Sequence, residues 1–163
     1  MKSILFLFLA TAIVIALAGI LGTGRFQGKI PRSLGSEPKK EIRVGEKTIK
    51  VTLADTEAER KHGLSGKTSL DENSGMLFVF DKKDLFPSFW MKEMLIPIDI
   101  IWINDGKVVK IDKSLQPPDK DIPEGHLTLY YPLKPIDYVL EVNAGFSDSN
   151  GVGLGTEVDL SGI

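Results

Sequence analysis

No cysteine occurs in the 163 residues. Disulfides, thiolate metal sites and cysteine nucleophiles are thereby excluded, and stability must come from packing. Histidine is almost as scarce: His62 and His126 are the only two, and they lack the short ligand spacing of a helix-borne zinc motif. No metal and no cofactor is expected, and His62 is read as a helix-end residue near the last carbonyls. An excess of one charge sign is missing too. The formal net charge is -2, with Lys and Arg interspersed among Asp and Glu, so no field is present that would hold a polyanion. Nucleic acid is not an expected partner.

Other motifs are absent in ways that narrow the chemistry. Ser65, between Leu64 and Gly66, has no strand–turn–helix around it of the kind a nucleophile elbow needs. The run Gly151-Val152-Gly153-Leu154-Gly155 is not followed by Lys-Ser or Lys-Thr or by a helical pattern, so it reads as turns and not as a phosphate loop. No internal repeat is visible. What is present is a composition with 42% hydrophobic and 26% charged residues, that of a folding globular chain with room for one ordinary domain.

Residues 4–21 are apolar or small without a charge, about the 18-residue minimum for a membrane-spanning helix. Lys2 is the positive flank. Ala16-Leu17-Ala18 also offers a small-x-small cleavage pattern, so residues 1–21 are expected to be a transmembrane anchor or, if cleaved, a signal segment. Both readings place the rest of the chain outside the cytoplasm, membrane-anchored or secreted. Residues 22–40, rich in Gly, Ser, Pro and basic residues, are expected to be a flexible tether, and residues 41–163 the globular domain.

Within that domain, Ile42-Arg43-Val44 and Thr48-Ile49-Lys50-Val51-Thr52-Leu53 alternate apolar with polar residues around a Gly45-Glu46-Lys47 turn, which predicts a hairpin. Thr56 and Glu59 have capping-box spacing and Gly63 offers a stop, predicting a short helix over 57–62. Gly75-Met76-Leu77-Phe78-Val79-Phe80 is a continuous apolar run, as in a strand buried on both faces. Ile98-Asp99-Ile100-Ile101-Trp102-Ile103 and the residues 108–111 flank Asn104-Asp105-Gly106 as a second hairpin. Pro117, Pro118 and Pro123 confine 116–125 to a surface loop that can overhang a site. Tyr138-Val139-Leu140-Glu141-Val142 reads as a strand, Asn143-Ala144-Gly145 as a turn, Ser147 and Ser149 as part of a polar loop, and 156–160 as a closing strand. The aromatic cluster over 85–91 is expected in the core. These elements predict a mostly β, α+β domain: a curled antiparallel sheet or partial barrel with one short helix.

The segments Glu59-Arg60-Lys61-His62-Gly63-Leu64, Gly75-Met76-Leu77-Phe78-Val79-Phe80, Phe89-Trp90-Met91-Lys92, Ile96-Pro97-Ile98-Asp99-Ile100 and Leu140-Glu141-Val142-Asn143-Ala144-Gly145 together resemble the domain-of-unknown-function 192 family, in order and spacing. The resemblance implies a compact strand-rich domain, often exported, with no established activity. The chain departs from that family's pattern after Gly-Leu, with Ser65 and Lys67 in place of a methionine and an arginine. It departs again after Trp-Met-Lys, with Glu93 and Met94 in place of Asn-Thr.

The best-matched segments carry Trp90, Lys92, Asp99, Glu141 and Asn143, a stacking surface, a cation, two carboxylates and an amide that can build a polar ligand site, with Arg60 as a secondary candidate. Period-two geometry allows Asp99 and Glu141 one sheet face if their strands are neighbours. The plainer expectation is that Lys92 and Arg60 pair with those acids as structural bridges while Trp90 fills the core. The function expected is a non-catalytic extracytoplasmic module binding a small polar ligand, such as a saccharide, or a partner protein. The alternative is a glycoside-type hydrolase using Asp99 and Glu141 as acid and base.

Overall fold

The computed structural model describes residues 39–163. The expected anchor over 1–21 and all but the last two residues of the expected tether over 22–40 lie outside the described residues. Among the described residues no helix is long and apolar enough to cross a membrane.

The first hairpin sits where the alternation predicts it. Strands β1 (Lys40–Val44) and β2 (Lys47–Ala54) pair antiparallel, burying Ile42, Val44, Ile49 and Val51 while Arg43 and Lys50 face solvent. The capping box that follows is reciprocal: Glu59 N–H donates to Thr56 Oγ1 at 3.2 Å, and Thr56 N–H donates to Glu59 Oε2 at 3.0 Å. Helix α1 (Glu57–His62) stops at Gly63, whose φ of 52° and ψ of -134° suit glycine and strain any residue with a Cβ.

From α1 the chain enters β3 (Ser74–Val79), which runs parallel to β2. This one pair departs from the expected antiparallel sheet, because the connection over 55–73, carrying a helix, is long enough to return the chain to the start of β2. Strands β5 (Ile98–Asn104) and β6 (Lys107–Leu115) form the second hairpin, turning at Asp105 and Gly106 with φ of 47° and 66°, the positive values that a two-residue I′ turn requires. Strand β8 (Tyr138–Asn143) fits between β5 and β3, and β9 (Val158–Asp159) adds to β1. The result is a seven-stranded sheet in the order β6-β5-β8-β3-β2-β1-β9. Its two edges approach each other where Val108 N–H donates to Thr156 O and Val158 N–H to Gly106 O, and the sheet curls into a half-barrel.

Both faces of the sheet are covered. Inside the curl lie Val44, Val51, Leu77, Ile101, Leu140 and Val142 with Phe146. On the other face Phe78, Ile98, Ile100, Trp102 and Val139 pack with Leu64, Met91, Met94 and Ile136 from the connecting segments. A two-stranded ribbon of β4 (Phe89–Trp90) and β7 (Leu129–Tyr130) belongs to those connections. The aromatic cluster over 85–91 divides: Met91 is buried and Phe89 packs on the core, but Phe86 is 63% exposed. A second short helix, α2 (Phe146–Ser149), occupies what the sequence presents as turn and polar loop. At one turn it is too short to show a period, and its initiation is supplied from another strand.

Candidate functional site

Glu141 is the interior residue of β8 that breaks its apolar run. Its register partners are Met76 on β3 and Ile100 on β5, so its side chain leaves the sheet on the face that also carries Phe78 and Trp102. The strands close tightly here: a Cβ at Gly75 would lie 2.7 Å from the carbonyl oxygen of Glu141, so only glycine lets β3 pack against β8 at this point.

The Glu141 carboxyl is buried, and its Oε2 has no hydrogen-bond partner. Burial disfavours the charged form and pushes its pKa up to about 8. At neutral pH the group is therefore an uncharged acid, able to donate one hydrogen bond as well as accept.

Around it is a cleft of about 250 Å³, just below the size of sites for drug-like ligands, roughly 300–1,000 Å³. One side is α1 and its end, with Glu57, Arg60, Lys61, His62 and Gly63; the others are Phe78, Phe80, Phe89, Trp90 and Met94. The helix end comes close, since a Cβ at Gly63 would stand 3.4 Å from Phe78 Cζ and 3.8 Å from Glu141 Oε2. The aromatic wall is braced from behind: Phe89 meets Phe78 edge-on at 4.8 Å between centroids and Trp102 at 5.4 Å.

Arg60 is committed elsewhere than to Glu141. Its Nη1 donates to the carbonyls of Asp55 at 2.6 Å and Val79 at 2.7 Å, its guanidinium lies 5.6 Å from the Phe80 centroid, and Nη2 is 3.9 Å from Asp81. It clamps α1 to the end of β3. Lys92 stands outside the cleft, donating to Glu124 Oε2 at 2.7 Å and lying 5.9 Å from the Trp90 centroid. The Glu124 hydrogen bond holds the Lys92 ammonium above its ordinary pKa and the Glu124 carboxyl below its own. Both line an adjoining cavity under the 116–128 segment, with Glu93, Leu95 and Ile122. The proline-bearing loop overhangs that cavity.

Asp99 is on the other face. It is fully buried, and its carboxylate accepts from the backbone N–H groups of Ser114 at 2.8 Å, Gly145 at 3.1 Å and Ser147 at 2.9 Å. It thus caps α2, which has no side-chain cap of its own, and fixes the irregular stretch of β6 opposite Ile98. Asn143 is structural as well: its Nδ2 donates to the carbonyls of Leu70 at 3.0 Å and Asp71 at 3.1 Å, fastening the segment before β3.

The six candidate residues therefore divide. Trp90, Glu141 and Arg60 line one cleft, Lys92 lies beside it, and Asp99 and Asn143 hold backbone. The expectation that Asp99 and Glu141 share a face is overturned by the register, in which Asp99 pairs with Val142 and Glu141 with Ile100. Neither expected bridge from Lys92 or Arg60 to these acids forms, because both cations find partners nearer the surface. Sequence reasoning missed Phe78, Phe80 and Phe89 as cleft walls. For the first two a signal existed, since their spacing of two puts them on one face of the strand direction; Phe89 carried none.

Against known proteins, a family profile for DUF192, described as an uncharacterized ACR, matches residues 40–160. The chain belongs to the DUF192 family. Two solved structures resemble this DUF192 domain. One is a Sinorhizobium meliloti protein provisionally assigned as a transcription regulator, 28% identical, with a TM-score of 0.68 over 78% of this chain and 98% of that one. The other, from Novosphingobium aromaticivorans, is a protein of unknown function, 30% identical, with a TM-score of 0.66 over 73% of this chain and 83% of that one. No curated protein matches the sequence. The two places where this DUF192 domain departs from the family pattern are neighbours in space: Ser65 Oγ donates to Lys92 O at 2.8 Å, and Gly66 N–H to Glu93 O at 2.9 Å.

Proposed function

We propose that this DUF192 domain is a non-catalytic binding module that takes a small polar ligand into the cleft over Glu141. The observation that carries the reading is a buried carboxyl with an unpartnered oxygen among the residues of an aromatic-walled cleft. An unmade buried hydrogen bond costs about 1–3 kcal/mol, and a ligand that completes it recovers that cost as affinity. Trp90 and the phenylalanines offer the flat apolar surface on which a sugar or similar ring stacks. Binding is favoured over catalysis because the expected glycoside-type pair is not assembled: Asp99 occupies the opposite face, and the other acid lining the cleft, Glu57, stands on α1 among basic residues.

The setting of this module is a further part of the proposal. The uncharged run over 4–21 favours a domain tethered outside the cytoplasm, where a ligand would be met in solution. Direct binding of nucleic acid finds no support in a chain of net charge -2.

Titration of the protein with a panel of monosaccharides and small ring compounds, followed by NMR shifts of the Trp90 indole and the Gly63 amide, tests the ligand reading. Shifts confined to the cleft and lost in Trp90→Ala are expected. Shifts that map to the adjoining Lys92 cavity, or none at all, would sink it. Retention of the full chain in carbonate-washed membranes tests the tether.

A further inference from the structure

We propose that the group this cleft receives at Glu141 is an uncharged oxygen acceptor borne on a flat ring, hydrogen-bonded by the Glu141 carboxyl acting as donor. The inference rests on the binding reading above and adds the class of ligand. It follows from the residues that flank Glu141 in the sheet and line the cleft beside it. Strand β3 presents Met76 and Phe78, β5 presents Ile100, and the segment over 87–94 presents Pro87, Ser88, Phe89, Trp90 and Met94, none of them charged. The titratable and charged groups of the cleft are Glu57, Arg60, Lys61 and His62, all on α1.

A cation at Glu141 would have to ionise a desolvated acid that has no charged partner of its own. An anion would be desolvated without a positive partner at the floor, because the Arg60 guanidinium is already taken by two carbonyls and Asp81. A neutral carbonyl, ether or hydroxyl oxygen incurs neither penalty and supplies the acceptor that a protonated carboxyl lacks. The aromatic walls then take the ring that bears it.

Three probes of similar shape separate the possibilities: acetophenone, benzamidinium and benzoate place an uncharged acceptor with no N–H or O–H donor, a cation and an anion on the same ring. Their binding to the full chain is measured by ligand-observed NMR at about pH 7 and about pH 10, with Trp90→Ala to locate the signal and Glu141→Gln to remove the titration. Acetophenone is expected to bind at least about tenfold more tightly than either charged probe at neutral pH. With Glu141 titrating at about 8, the affinity of acetophenone should fall at least about tenfold by pH 10. Glu141→Gln, which keeps an uncharged donor of the same length, should bind acetophenone equally at both pH values. The wild-type pH series needs no variant, so a folding defect in Glu141→Gln leaves the test intact. Tightest binding of benzamidinium, growing with pH, or of benzoate, in either case abolished by Trp90→Ala, would overturn the inference while the cleft remains a binding site. No probe responding to Trp90→Ala would remove the binding reading and this inference together.

Discussion

Asp99 and Glu141 stand on adjacent strands one residue out of register, so their carboxyls leave the sheet on opposite faces. The difference in side decides their chemistry. Asp99 meets three backbone N–H groups that need an acceptor, whereas the Glu141 carboxyl is buried beside an aromatic-walled cleft with its Oε2 unpartnered, and its pKa climbs. Two acids that look alike in the chain are a backbone fastener and an unpartnered buried acid in the fold.

Asp99→Asn should lower stability by about 1–3 kcal/mol. The amide keeps one oxygen but turns its NH₂ toward one of the three backbone donors, and α2 loses the cap that its own N-terminus does not provide. Urea unfolding of the variant against the parent measures the loss. An unchanged midpoint would show that the three hydrogen bonds contribute nothing net.

Glu141 gives stability a pH dependence of determinate sign. Its folded pKa, about 8, lies above the unfolded value near 4.5, so between those values the folded state holds the proton more tightly. Stability is full below pH 4.5, declines as pH rises toward 8, and levels off above, at a rate of roughly 1 kcal/mol per pH unit. Glu141→Gln should abolish that slope and, above neutral pH, stabilise the protein. Thermal midpoints of both proteins across this range decide it; parallel curves would place the carboxyl in water or beside an unseen cation.

Much of this was legible in the chain because the signals were local. Thr56 and Glu59 announce a helix start through two reciprocal hydrogen bonds three residues apart, and both form. The alternation in 42–53 and the apolar runs at 75–80 and 98–103 announce strands, and most of the residues expected inside are buried, with Leu53, Val79 and Phe80 partly so. What failed was relational. Period two assigns Asp99 and Glu141 each to a side of its own strand but carries nothing about register, and one residue of slip exchanges the faces. The parallel β2–β3 pair and the one-turn α2 depend likewise on partners far away in sequence. Trp90 and Glu141 were legible as site candidates from residue type within matched segments. Phe89, which reaches the cleft through β4 pairing with β7, was not.

Gly63→Ala tests how closely the helix end guards the acid. At φ of 52° the new Cβ is strained, and it would point between Phe78 and Glu141 Oε2. A loss of about 1 kcal/mol is expected from the backbone alone. The same methyl narrows the cleft, so any ligand that reaches Glu141 should weaken as well. Loss of stability with ligand affinity unmoved would place the bound group away from the Gly63 side.

Glu93 explains one departure from the family pattern without invoking a ligand. Its φ of 56° is left-handed, a region that Asn tolerates and glycine occupies freely, while Glu has no local hydrogen bond to offset the strain. The backbone therefore accounts for the asparagine that the family resemblance implies at this position, and this chain carries a residue less suited to it. Glu93→Asn should stabilise the protein by a few tenths of a kcal/mol and Glu93→Gly by up to about 1 kcal/mol, with the glycine's gain reduced by its freer unfolded state. Because Glu93 lines the adjoining cavity and not the cleft, neither change should alter binding over Glu141. Thermal unfolding and a ligand titration on the same two variants separate the alternatives. A rise in midpoint with unchanged affinity supports the conformational account, while a new or stronger ligand response in Glu93→Asn with no gain in stability would mean that the family's amide serves a bound molecule.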